Sequence, residues 1–116
     1  MNWNTIRLEL ARTENFPTGS VSRGYLIRVP LNADGSIDED AVERSPRQAT
    51  VRRFWSTEPD ESGRVARIDG RWGLRCNCNR DRLLSTDCFN IGDEVNIVEP
   101  GGVPVPFRVA NIRQVD

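Results

Sequence analysis

The chain has no histidine and no lysine, so all sixteen of its basic residues are arginine. Without histidine, the commonest general base and the commonest metal ligand are both missing. Without lysine, there is no Schiff base and no phosphate-cradling P-loop lysine. No G-x-S-x-G, G-x-G-x-x-G or metal-hydrolase pattern occurs either. These absences make the chain a poor fit to common enzyme classes, and the expectation is a protein that is not an enzyme and needs no cofactor.

Long apolar runs are also missing, and none approaches the roughly 20 residues that cross a bilayer. The opening MNWNTIRLEL carries no basic leader, apolar stretch or small-residue cleavage site. Three cysteines cannot all pair within one chain, which argues against a secreted disulfide scaffold. The expectation is a cytoplasmic protein with reduced thiols and no membrane partner. No repeat, low-complexity tract or linker divides the 116 residues, so one domain spanning 1–116 is expected. With 37% hydrophobic and 28% charged residues, the composition is globular rather than disordered.

The apolar residues that are present alternate with period two, the strand signature. Ile6, Leu8 and Leu10 share one face; Tyr25, Ile27 and Val29 share another. The spacing predicts strands over 5–10, 22–29, 48–55, 64–68 and 71–78, a strand entering at Val95, and a last strand running through Ile112. Arg53 falls in phase with Val51 and Trp55 while Phe54 faces the opposite side, which suggests a bulge or a two-sided strand. Asp69-Gly70 is a frequent hairpin pair, and Pro100-Gly101-Gly102 marks a tight final reversal. A short helix is predicted across 38–44, with Ser36 and Glu39 at capping-box spacing and Pro46 beyond its end. Residues 58–63 and 79–87 read as turn and loop. Pro104 and Pro106 lack N–H donors and place the start of the last strand at a sheet edge. The whole describes an all-β chain with one short helix: a small antiparallel barrel or two-layer sandwich of about seven strands. Barrel closure is favoured because it removes exposed edges.

Four groups of residues could carry chemistry. Cys76, Cys78 and Cys88 have the spacing C-x-C-x₉-C, which lacks the paired knuckles of a zinc site and leaves only Asp81 or Asp87 as a fourth ligand. Buried structural thiols are the simpler reading, and no metal is expected. The acidic run Asp34, Asp38, Glu39, Asp40 and Glu43 faintly resembles a calcium loop, but its twelfth residue is Ser45. Such charges suit the first turn of a helix. Asp93 and Glu94 are adjacent on a strand and point to opposite faces, so they cannot converge on one substrate.

The fourth group is basic and aromatic: Arg52-Arg53-Phe54-Trp55, then Arg71-Trp72-Gly73-Leu74-Arg75, then Arg80 and Arg82. Residues 47–82 hold nine arginines against five acids, within a chain of net charge −1 and pI near 5.5. Arg52, Arg53, Trp55, Arg71, Trp72 and Arg75 are the candidate binding residues, since Arg and Trp are enriched at binding hot spots. The expected role is a non-catalytic binding or assembly module presenting an Arg/Trp-bearing sheet face to a protein partner or to a second copy. The acidic 34–43 segment would be the complementary patch in a homodimer. The alternative is a small barrel that binds single-stranded nucleic acid, with aromatics stacking beside cations. The acidic pI weighs against it.

Three stretches taken together are distinctive: Phe16-Pro17-x-Gly19-Ser20-x-x-x-Gly24-Tyr25, Pro30-Leu31-x-x-x-Gly35-x-Ile37-Asp38, and Arg52-Arg53-Phe54-Trp55. With Gly92-Asp93-Glu94-Val95 near the C-terminus, they resemble a group of small uncharacterised bacterial proteins of similar length. The resemblance covers about residues 15–112. It implies no activity and carries over no functional residue, and the cysteines lie outside the shared pattern.

Overall fold

The computed structural model describes residues 3–76, 81–99 and 101–115. Eight strands follow one another: β1 (Trp3–Leu10), β2 (Ser20–Pro30), β3 (Thr50–Trp55), β4 (Glu58–Ile68), β5 (Arg71–Cys76), β6 (Asp81–Leu84), β7 (Glu94–Val98) and β8 (Val105–Gln114). Each pairs antiparallel with its sequence neighbour, and β8 returns to β1, so the sheet closes into an eight-stranded barrel. Between barrel and sandwich, closure gives each of the eight strands a hydrogen-bonded neighbour on both sides.

Alternation fills the interior. Ile6, Leu8, Ile27, Val29, Leu74, Val95 and Val109 are all under 2% exposed and face one another across the barrel. Hydrogen bonds from Phe89 N to Gly35 O and from Ile37 N to Asp87 O tie the 31–49 and 85–93 connections together over one end. There Leu31, Ile37 and Phe89 are buried, along with Ala41 and Val42 of the helix α1 (Glu39–Arg44). Among the described residues, the opposite end, ringed by 11–19, 56–57, 99 and 101–104, stays open.

Several expectations need correction. Residues 58–63, read as turn, form the first half of β4. Their polar side chains pair across to β3 arginines: Arg52 with Asp60 at 3.8 Å, and Arg53 with Glu58 at 2.9 Å. Charge pairing substitutes here for the apolar alternation that sequence reading relies on. Residues 81–84, read as loop, form β6, with Arg75 and Asp81 paired in register and bonded at 3.2 Å. The helix cap is Asp38, whose Oδ1 accepts from Ala41 N at 3.2 Å, not Ser36. Ser36 instead donates its hydroxyl to Asp34 Oδ1 at 2.6 Å and bridges backbone to Cys88. Pro106 lies within β8 at the rim of a closed sheet rather than on an edge, and its carbonyl accepts from Ala11 N.

Other local expectations match. The β3–β4 register shifts between Arg53 and Trp55, the bulge anticipated there. Asp69 and Gly70 both adopt positive φ, 51° and 80°, as a two-residue hairpin turn requires. Gly24 serves a different need: a Cβ there would lie 1.9 Å from Leu8 O, so only glycine lets β1 and β2 approach this closely.

Candidate functional site

The open end is shaped by four inward-facing polar side chains on different strands: Tyr25, Arg53, Glu61 and Arg82. On β3, the face that buries Val51 continues to Arg53, whose side chain is 11% exposed, and then to half-buried Trp55. The register sets Arg53 between Tyr25 on β2 and Glu61 on β4. On β6, Arg82 shares the inward face with Leu84, and its side chain is only 4% exposed.

Arg82 Nε and Nη2 donate to Glu99 Oε1 at 3.0 and 2.9 Å, while Glu61 Oε1 stands 3.9 Å from Nη1, beyond hydrogen-bond reach. Arg53 Nη1 donates to Glu58 and Glu61 at 2.9 and 3.4 Å, and Tyr25 stands opposite it in the β2–β3 register. Two buried donors, Arg82 Nη1 and Arg53 Nε, have no hydrogen-bond acceptor among the described residues. The two arginines line a cavity of about 370 Å³ walled by Trp55, Ile97, Val105 and Phe107. Phe107 meets both Tyr25 and Trp55 edge-on, with ring centroids 5.2 and 6.5 Å apart. The Arg53 guanidinium stacks 4.3 Å over the Trp55 ring. A second depression of about 540 Å³ shares Trp55, Val103 and Val105 with the first and runs over Leu10, Phe16, Pro104 and Pro106.

Burial raises the Tyr25 pKa above its ordinary 10.0, against the opposing pull of Arg82 and Arg53, so the phenol is a neutral hydroxyl at physiological pH. Burial alone would lower the pKa of both arginines. Glu58 and Tyr25 outweigh it at Arg53, and Tyr25 and Glu99 at Arg82, so both end above the usual arginine value. The open end therefore holds permanent cations against apolar walls. The Tyr25 shift also has a stability consequence. Because the folded-state pKa exceeds the unfolded one, Tyr25 favours folding below pH 10 and loses that contribution as pH rises through the folded value. Urea midpoints measured from pH 8 to 11 should fall above about 10 in the native chain, and Tyr25→Phe should remove part of that fall.

The six candidate binding residues do not form one face. Arg53 and Trp55 reach the open end. Arg52 lies on the outer wall with Asp60, and Arg75, also outside, pairs with Asp81. Trp72 is 5% exposed, points inward with Leu74 and Cys76, and carries Arg67 4.7 Å over its ring. Arg71, exposed, donates to Leu84 O at 3.2 Å. Sequence reading placed Arg82 in the basic-aromatic group without choosing it as a binding residue, and missed Tyr25, Glu61, Glu99 and Phe107. The one available signal was Arg53 falling in phase with Val51 and Trp55.

The other groups have local roles. Cys76 is buried, and the Cys88 thiol donates to Asp34 O at 3.2 Å; Cys78 and Arg80 lie outside the described residues. Among the described residues, no group of three His, Cys, Asp or Glu is placed to hold a metal. Asp34 is held below its usual pKa by hydrogen bonds from Ser36, Asp38 caps α1, and Glu39 Oε2 accepts from Arg67 Nε at 2.6 Å. No helix among the described residues is long and apolar enough to cross a membrane. The chain matches no protein-family model, none of the curated proteins and no solved structure.

Proposed function

We propose that the chain is a non-catalytic binding module and that it binds through the open end of its barrel. The observation that carries this reading is Arg82: a side chain 96% buried, with one donor lacking an acceptor among the described residues, beside an apolar-walled cavity. Buried donors are normally satisfied, and their clustering in a pocket of aromatic and aliphatic walls is the usual make-up of a recognition site. Arg53 and Trp55 keep the role expected of them, while Arg52, Arg71, Trp72 and Arg75 contribute to the barrel wall. The absence of histidine and lysine, together with two arginines that stay charged, favours recognition over proton transfer.

The single-strand nucleic-acid reading draws less support. Trp3 and Trp72 are buried, and five of the nine arginines in 47–82 (Arg52, Arg53, Arg67, Arg75 and Arg82) already face a carboxylate, which weakens the basic stretch as a phosphate track.

The test uses ¹⁵N-labelled protein, whose Arg53 and Arg82 Nε–H and Trp55 Nε1–H signals report on the open end. It is titrated to millimolar concentration with small acids, amines, neutral amides, sugars and nucleosides. At least one class should move these signals and leave Arg67 and Trp72 unmoved. If no class moves them, the reading falls.

A further inference from the structure

Resting on that reading, we infer that the open end recognises a carboxylate carried on an apolar aryl or alkyl body, and that Glu99 is a built-in competitor for it. The buried polar atoms without a partner here are donors: Arg82 Nη1 and Arg53 Nε call for an acceptor, not for an amine. Glu99 already demonstrates the chemistry, placing one carboxylate oxygen against both Nε and Nη2 of Arg82.

Charge decides how a ligand enters. Glu99 already occupies two donors of Arg82, so a carboxylate arriving at that guanidinium takes the place of Glu99 rather than adding to it. Glu61 is 25% exposed and lies between both arginines, whereas Glu99 is 48% exposed and begins the 99–104 connection at the rim. Exchanging Glu99 for a ligand carboxylate leaves the charge around Arg82 unchanged and returns Glu99 to water at little cost. The ligand carboxylate would then reach Nη1 as well, which Glu99 leaves without an acceptor.

The walls set the rest of the ligand. Trp55, Phe107, Ile97 and Val105 line about 370 Å³, enough for one ring or a short branched chain. The adjoining 540 Å³ depression over Leu10, Phe16, Pro104 and Pro106 gives a longer body a way out past Trp55. A free organic acid and the carboxyl terminus of a peptide share this chemistry.

The experiment titrates the labelled protein with 4-phenylbutyrate and its primary amide, and with an acetylated tripeptide ending in phenylalanine as free acid and as amide. The inference expects an acid to move the Arg82 and Trp55 signals at least about tenfold more tightly than its amide, since a charge-assisted bond to buried arginine is lost in the amide. The arm that binds more tightly assigns the source. Glu99→Gln should tighten the acid several-fold, and Arg82→Met should abolish its preference over the amide. If Arg82→Met does not fold, the acid–amide comparison on the unaltered chain still decides. Amides binding as well as acids, or Glu99→Gln weakening the acid, would overturn the inference. Shifts of the open-end signals by amides or by other classes would in that case leave the binding reading standing.

Discussion

Replacing Phe107 by alanine is expected to lower the free energy of unfolding by about 3–5 kcal/mol, a large part of the 5–15 kcal/mol typical of a whole domain. Phe107 is 2% exposed and sits in β8 opposite Leu10 on β1 and Val95 on β7, at the seam where the barrel closes. Its ring supports Tyr25 and Trp55 edge-on. The strands around it are held by hydrogen bonds on both sides, so the space left by truncation cannot collapse. The cost is then lost burial plus a lasting cavity that opens into the existing pocket. Urea denaturation would show a lower midpoint with an unchanged slope. The matching control is Val103→Ala, on the same rim but 78% exposed, which should change stability by no more than about 0.5 kcal/mol.

The second large effect concerns the buried guanidinium. Removing Glu61 and Glu99 together by alanine substitution should cost about 2–3 kcal/mol, because Arg82 would remain charged in the interior with both its carboxylates gone. A fully buried pair would cost more, but Glu61 and Glu99 are 25% and 48% exposed and solvent already shares the screening. Adding Arg82→Met to the double variant should restore most of that stability, since a side chain of similar length then fills the apolar wall with no charge to compensate. With Arg82→Met alone and the unaltered chain, the double and triple variants form a cycle readable by thermal or urea unfolding. A triple variant no more stable than the double would show that Arg82 contributes through packing of its stem rather than through its charge.

The strands with apolar alternation were legible: β1, β2, β3, β5 and β8 are close to their expected extents, and so is the hairpin at Asp69-Gly70. The misses share one cause. The first half of β4 is Glu58-Pro59-Asp60-Glu61-Ser62-Gly63, which has no apolar period and is held by β3 arginines opposite it. β6 has four residues, too few for a period to emerge, and its one inward polar residue is the arginine that matters most. Pattern reading finds strands through burial of apolar side chains, so strands fixed by ion pairs escape it.

The same limit governs the site. Arg53 and Trp55 lie two residues apart on one strand, and their shared face could be read along the chain. Arg82 and Glu99 are 17 residues apart, on a short strand and beyond the end of β7, and Glu61 comes from a third element. The sequence alone determined that the chain is all-β, that arginine is its only cation, and that histidine- and lysine-based chemistry is out of reach. Tertiary structure decided which arginines turn inward, because closing eight strands sets the register that brings Tyr25, Arg53 and Glu61 side by side and Arg82 against Glu99. Side-chain identity is local, but which charges meet in the interior depends on which strands become neighbours.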